Sequence, residues 1–171
     1  MRRAYFDGAP GVFVSGAVWL ASALVGHSVG LHQGVWTLLI GGALIHPMAG
    51  ILTNMLGRSA KTSKDNALNQ LTMASTIWLI LCCAMAYGLF LSRPELFFPV
   101  MMATIGSRYL IFATIFGKSI FWVMGVSLIA IANVIFFAGV APTMGAALGG
   151  LIEVVFAFVI FSNASSLADA E

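Results

Sequence analysis

The chain has 171 residues, of which 60% are hydrophobic and only 8% charged, against about a quarter charged in an ordinary soluble domain. That deficit excludes a soluble domain, and six apolar runs of about twenty residues each, the length that crosses a bilayer, leave no room for a soluble module beside them. The formal charge of +2, with no basic patch interleaved with aromatics, excludes nucleic acid and leaves membrane lipids as the expected partner.

Residues 1–11 are a short polar start carrying Arg2 and Arg3, followed by a first apolar run over 12–31. Ala21-Ser22-Ala23 has the small-residue pattern of a signal-peptide cleavage site, but the apolar run continues past it, so the segment reads as a retained span. Ser15, Trp19, Ala23 and His27 recur every four residues and share one helical face. A tight connection at His32-Gln33-Gly34 leads into the second span, 35–56. Its small and polar stripe, Gly42, His46, Gly50 and Asn54, is expected to face other helices. Pro47 has no N–H to give the Ala43 carbonyl, which predicts a kink at mid-membrane with His46 beside it.

Residues 57–66 form the longest polar connection, with Arg58, Lys61 and Lys64 against Asp65, and Ser63 or Asp65 as the cap of the next helix. The third span, 67–91, holds Asn69, Gln70, Thr72, Thr76, Cys83 and Tyr87, and Ser92-Arg93-Pro94-Glu95 breaks the chain after it. Cys82 and Cys83 are adjacent, which offers neither a disulfide framework nor metal-ligand spacing. In the fourth span, 96–116, Thr104 and Arg108 lie one turn apart on one side, with Tyr109 next to Arg108. A Gly117-Lys118 turn opens the fifth span, 119–140, whose one strongly polar interior residue is Asn133. Ala141-Pro142 breaks again before the sixth span, 143–162, which sets Gly145, Gly149 and Glu153 on one face, and a polar tail ends the chain.

The fold class is therefore all-α: a polytopic transmembrane bundle of six spans forming one domain over residues 1–171. Arg2, Arg3, Arg58, Lys61, Lys64 and Lys118 fall on one side of the membrane and Arg93 alone on the other, which sets both termini in the cytoplasm.

Glu153 is the only acidic residue inside an apolar run. A lone carboxylate at the bilayer centre is disfavoured by about 2.5 to 3.5 kcal/mol, so it faces the bundle interior, finds a partner or stays protonated. Arg108 is its obvious partner, and His46 lies at about the same depth, each of the three being about one turn from its helix midpoint. Arg108, Glu153 and His46, with Tyr109 and Asn133, form the candidate substrate-binding set. The bland readings stand beside it: an ion pair that only fixes which helices touch, and a histidine that only donates to the carbonyl freed by Pro47. No HExxH, CxxC, phosphate loop or GxSxG elbow occurs, so no metal or cofactor is expected.

Gly41 to Pro47, Asn66-Ala67-Leu68 and Gly106-Ser107-Arg108 resemble stretches of a family of uncharacterised bacterial six-span membrane proteins, over about residues 41–125. Where that pattern has histidine after the small pair in the fourth span, this chain has Arg108. The resemblance implies the span count and a bacterial inner membrane, and no activity. Three functions compete. The first is a small proton-coupled transporter or ligand-binding membrane protein, with Arg108 on an anionic group and Glu153 or His46 exchanging protons between inverted halves. The second is an intramembrane enzyme acting on a lipid-like substrate, with Glu153 as general acid and Trp78 or Phe112 lining its pocket. The third is a structural or accessory subunit.

Overall fold

The computed structural model describes residues 8–55 and 67–166, with side chains placed for 8–55 and 70–163. Arg2, Arg3, Arg58, Lys61, Lys64, the caps proposed at Ser63 and Asp65, the side chain of Asn69 and the end of the tail lie outside these described residues. The described residues form α1 (Ala9–Ser28), α2 (Leu31–Met55), α3 (Ala67–Ser92), a short 3₁₀ turn (Pro94–Leu96), α4 (Phe97–Phe116), α5 (Ile120–Ala138) and α6 (Pro142–Ser166). All six α-helices are long and apolar enough to cross a membrane, so this is a multi-pass membrane protein.

The helix ends follow local chemistry. Pro10 and Pro142 stand in the first turns of α1 and α6, where a missing N–H costs nothing. Gly117 and Gly139 close α4 and α5 in the left-handed conformation, with φ of 59° and 62°. The first junction falls at Val29-Gly30, earlier than the expected His32-Gln33-Gly34, because Gly30 takes φ of 149°, which a side chain would resist. His32, Gln33 and Gly34 thereby enter α2, and Gly34 packs against Gly26 so closely that an added Cβ would lie 2.7 Å from the Gly26 Cα. α2 runs on through Pro47 to Met55.

Two helices organise the rest. α1 packs most extensively against α2 and α6, while α4 packs against α5 and, less extensively, α3. Consecutive spans alternate in direction, so α1-α2-α3 and α4-α5-α6 are inverted with respect to one another. Each half sends its third helix across to the first helix of the other half. α6 also packs against α4 and α5 within its own half, and a small contact of α2 with α6 adds to the two seams that join the halves.

Glycine sets the spacing along these seams. A Cβ on Gly106 would meet the Gly125 carbonyl oxygen at 2.8 Å, and one on Gly125 would meet the Gly106 oxygen at 2.6 Å. On the α1–α6 seam, Gly16 and Gly150 stand in the same reciprocal relation at 2.9 Å. Backbone is met in both directions, so neither pair yields without separating the helices. The expected close-approach face of Gly145 and Gly149 is thus displaced by one position, since an added Cβ on Gly149 meets the flexible Met102 side chain and Gly150 meets backbone. Between the seams lies a core of Trp19, Phe97, Phe98, Met102, Phe121, Met124 and Leu128. Trp19 is 1% exposed and tilts against Phe98 with ring centroids 6.0 Å apart.

α2 and α3 are the least covered helices. They meet through rings, Trp36 with Tyr87 at 5.4 Å and His32 with Phe90 at 5.9 Å, on the side of the membrane where α1 ends.

Gly125→Ala lowers the melting temperature in detergent, with a destabilisation of about 1 to 3 kcal/mol from overpacking that outweighs the helix-propensity gain. Gly88→Ala is the control, because open space surrounds Gly88, and it leaves the melting point unchanged or raises it.

Candidate functional site

Glu153 is fully buried, although it lies in a helix with an otherwise lipid-suited sequence. The turn before it carries Gly149 and Gly150, and these bring α6 against α1 and against the Trp19 and Met102 side chains. The carboxyl therefore emerges inside the bundle. Tyr109 of α4, 4% exposed, donates its hydroxyl to Glu153 Oε1 at 2.9 Å. Ser15 of α1 is buried as well and is the third polar group facing the carboxyl. Glu153 Oε2 has no hydrogen bond. At 1.5 Å of rise per residue, all three groups lie roughly 17 to 20 Å along their helices from the same membrane side, near mid-depth.

Arg108 occupies a second polar place. Successive residues on a helix point about 100° apart, so Arg108 and Tyr109 leave α4 toward different neighbours. Arg108 Nη2 donates to Thr76 Oγ1 of α3 at 3.3 Å, and the guanidinium lies 5.2 Å from the Phe112 ring centroid, a cation–π arrangement. Its Nε is buried without a partner. The Thr76 hydroxyl also donates to the Thr72 carbonyl at 2.9 Å, which orients its oxygen toward the arginine. Cys83 of α3 is close enough to act electrostatically on the guanidinium.

The five sequence candidates thus separate. Tyr109 and Glu153 come together, while the expected meeting of Arg108 with Glu153 is not made, each having its own partner instead. His46 is exposed on α2 and joins neither group. Asn133 is exposed on α5 and spends its amide on the Ile129 carbonyl of its own helix at 2.8 Å. The stripe of Gly42, His46, Gly50 and Asn54, expected to face other helices, faces none among the described residues. The reason is shared: α2 is held to α1 through Gly34, Val35 and Leu38, which turns the inner part of the stripe outward. Trp78 points outward too, and Phe112 serves Arg108, not the carboxyl.

Two residues escape a reading that weighs only titratable groups, Ser15 and Thr76. Their signal was present, because Ser15 shares a face with Trp19 and Thr76 precedes the helix-packing face of α3 at Cys83 by two turns.

The sequence profile of one family matches residues 1–163, nearly the whole chain. The chain belongs to DUF7010, a family of unknown function. The match extends well beyond residues 41–125, where the resemblance was seen. No curated protein and no solved structure matches the chain. In this DUF7010 protein no group of three or more histidine, cysteine, aspartate or glutamate side chains gathers among the described residues as a metal centre would require.

Tyr109→Phe removes the phenol's hydrogen bond to the carboxyl and lowers stability by about 1 kcal/mol, between the average of about 0.6 and the maximum of about 1.7 for hydrogen bonds inside membrane proteins. Melting of single and double variants separates the two polar places. Tyr109→Phe with Glu153→Gln is non-additive, whereas Arg108→Gln with Glu153→Gln adds to within about 0.5 kcal/mol.

Proposed function

We propose that this protein is a small proton-linked carrier of an anionic solute in a bacterial inner membrane, with both termini cytoplasmic, in which Glu153 holds the proton and Arg108 the anion. The observation that carries the reading is the placement of the two polar groups in the inverted arrangement. Glu153 with Ser15 lies where α6 crosses onto α1, and Arg108 with Thr76 lies where α3 meets α4. An inversion that exchanges the halves exchanges these two seams. Transporters built from inverted halves keep their sites at the interface between them, near the membrane midplane.

The chemistry suits the roles. A guanidinium presents five donors, and Arg108 spends one on Thr76 and keeps an unpartnered Nε, which favours a carboxylate, phosphate or sulfate group over a cation. A carboxyl enclosed by apolar side chains, with one oxygen bonded and one not, is suited to hold and release a proton. Coupling runs through α4. Tyr109 and Arg108 are consecutive on one rigid helix, so a rotation of α4 that follows protonation at Glu153 also moves the guanidinium against α3.

Proteoliposomes loaded with a pH-sensitive dye test this, with external inorganic phosphate, sulfate, citrate and succinate offered one at a time. At least one anion acidifies the lumen faster than in protein-free liposomes, and Glu153→Gln lowers that rate at least tenfold. Arg108→Gln raises the half-saturating anion concentration about tenfold, as the loss of a charged hydrogen bond of about 1.5 kcal/mol requires. Rates equal to those of protein-free liposomes for every anion, or a Glu153→Gln variant as fast as the parent, overturn the proposal.

A further inference from the structure

The most conspicuous polar group outside both sites is His46. It is exposed a little past the middle of α2, and among the described residues it makes no hydrogen bond or ring contact. One turn before it, the exposed Ala43 has a carbonyl that Pro47 cannot serve, since proline has no N–H. A donor and an acceptor therefore stand together on an outward face at a depth where lipid offers neither. The same stretch is laid open at the backbone level. Gly42 and Gly50, one turn on either side of His46, have nothing within 4 Å of an added Cβ.

We infer that this face of α2 is where a second copy of the chain docks, with His46 of each copy donating to the Ala43 carbonyl of the other. The argument for a second copy, over any other occupant, is self-complementarity. Two copies inserted in the same direction are related by a two-fold axis along the membrane normal, and in such an interface a contact from residue i to residue j is repeated from j to i. One face that carries an unmet donor and an unmet acceptor three residues apart satisfies both on meeting itself. Apolar tails satisfy neither. Gly42 and Gly50 let the two α2 backbones approach closely enough for an imidazole to reach across, in the manner of small-residue crossings between membrane helices. The half of α2 nearer its start is engaged differently, by α1 through Gly34 and by the rings of α3, so the docking face is the stretch from Gly42 to Gly50.

The test uses the full chain in lipid vesicles. In a background with Cys82→Ser and Cys83→Ser, the single-cysteine variant Gly50→Cys can form a disulfide only between copies. Copper-phenanthroline is expected to convert most of it to a cross-linked dimer, while Val134→Cys, exposed on α5, stays monomeric. The variant His46→Leu, read by single-molecule photobleaching across a range of protein-to-lipid ratios, weakens dimerisation about tenfold, the loss expected for two symmetric intramembrane hydrogen bonds. Monomers throughout the dilution series for the parent chain, equal cross-linking at Gly50→Cys and Val134→Cys, or undiminished association of a folded His46→Leu variant would each refute the inference. Transport plays no part in these readouts, so their outcome is separate from that of the carrier proposal.

Discussion

The hydrogen bond from Tyr109 to Glu153 is the constraint around which the packing is arranged. A carboxyl taken out of water is tolerated only when the chain supplies partners, and inside a bilayer the supply must come from other helices. Here it comes from α4 and α1, which have to pass α6 at one depth. Glycine makes that passage close: Gly16 and Gly150 bring α1 to α6 directly before the carboxyl, and Gly149 admits Trp19 and Met102 beside it. Exchange of Glu153 for an apolar residue of similar volume would leave these seams their packing, but the phenol of Tyr109 would lose its acceptor. Polar and steric terms select the same arrangement of three helices.

Much of the fold was legible because it rests on local signals. Each span reports itself through length and apolarity, and Pro94, Gly117 and Pro142 mark breaks that proline and glycine chemistry enforces wherever they occur. The first junction was misread for a physical reason. His32-Gln33-Gly34 is polar and looks like a turn, yet a glycine in a membrane helix serves packing as readily as bending, and Gly34 packs on Gly26. The candidate site was legible by half. Burial of Glu153 follows from the expense of a charge in lipid, but the choice of its partner does not. Arg108 and Tyr109 are neighbours in sequence, so depth places both equally well. Which of them faces α6 depends on the rotation of α4 about its own axis, and that is fixed by the Gly106–Gly125 seam with α5, a contact between distant parts of the chain.

The two polar places differ in enclosure, and the difference follows from the strength of the seams that hold them. α6 lies on α1 along a tight, glycine-lined contact that seals Glu153 completely. α3 lies on α4 along a looser one without such a glycine pair, and Arg108 there is only half-buried. A guanidinium tolerates that position because its charge is spread over a plane, one face of which rests on Phe112, and because its long stem is itself apolar. A carboxylate is more compact and would fare worse at the same place. The acid is therefore held beside a tighter seam than the base.

That distribution also bears on which parts of the molecule can move. Displacing α1 from α6 forces glycine-packed backbones apart, and displacing α4 from α6 costs Glu153 its hydrogen bond from Tyr109. α2 is held to α1 almost as extensively as α6 is, whereas α3 rests on α4 through a smaller contact, and α2 and α3 meet each other through rings at one end, which can slide without breaking a directed bond. Motion of α3 against α4 costs the bond from Arg108 to Thr76 and the edge contact of Phe90 with Phe97. An element that must expose and cover a charged group during a working cycle needs this kind of shallow restraint, since low local stability is what permits local opening. The arginine sits at a seam less extensive than the α1–α6 seam beside the carboxyl that α4 links to it.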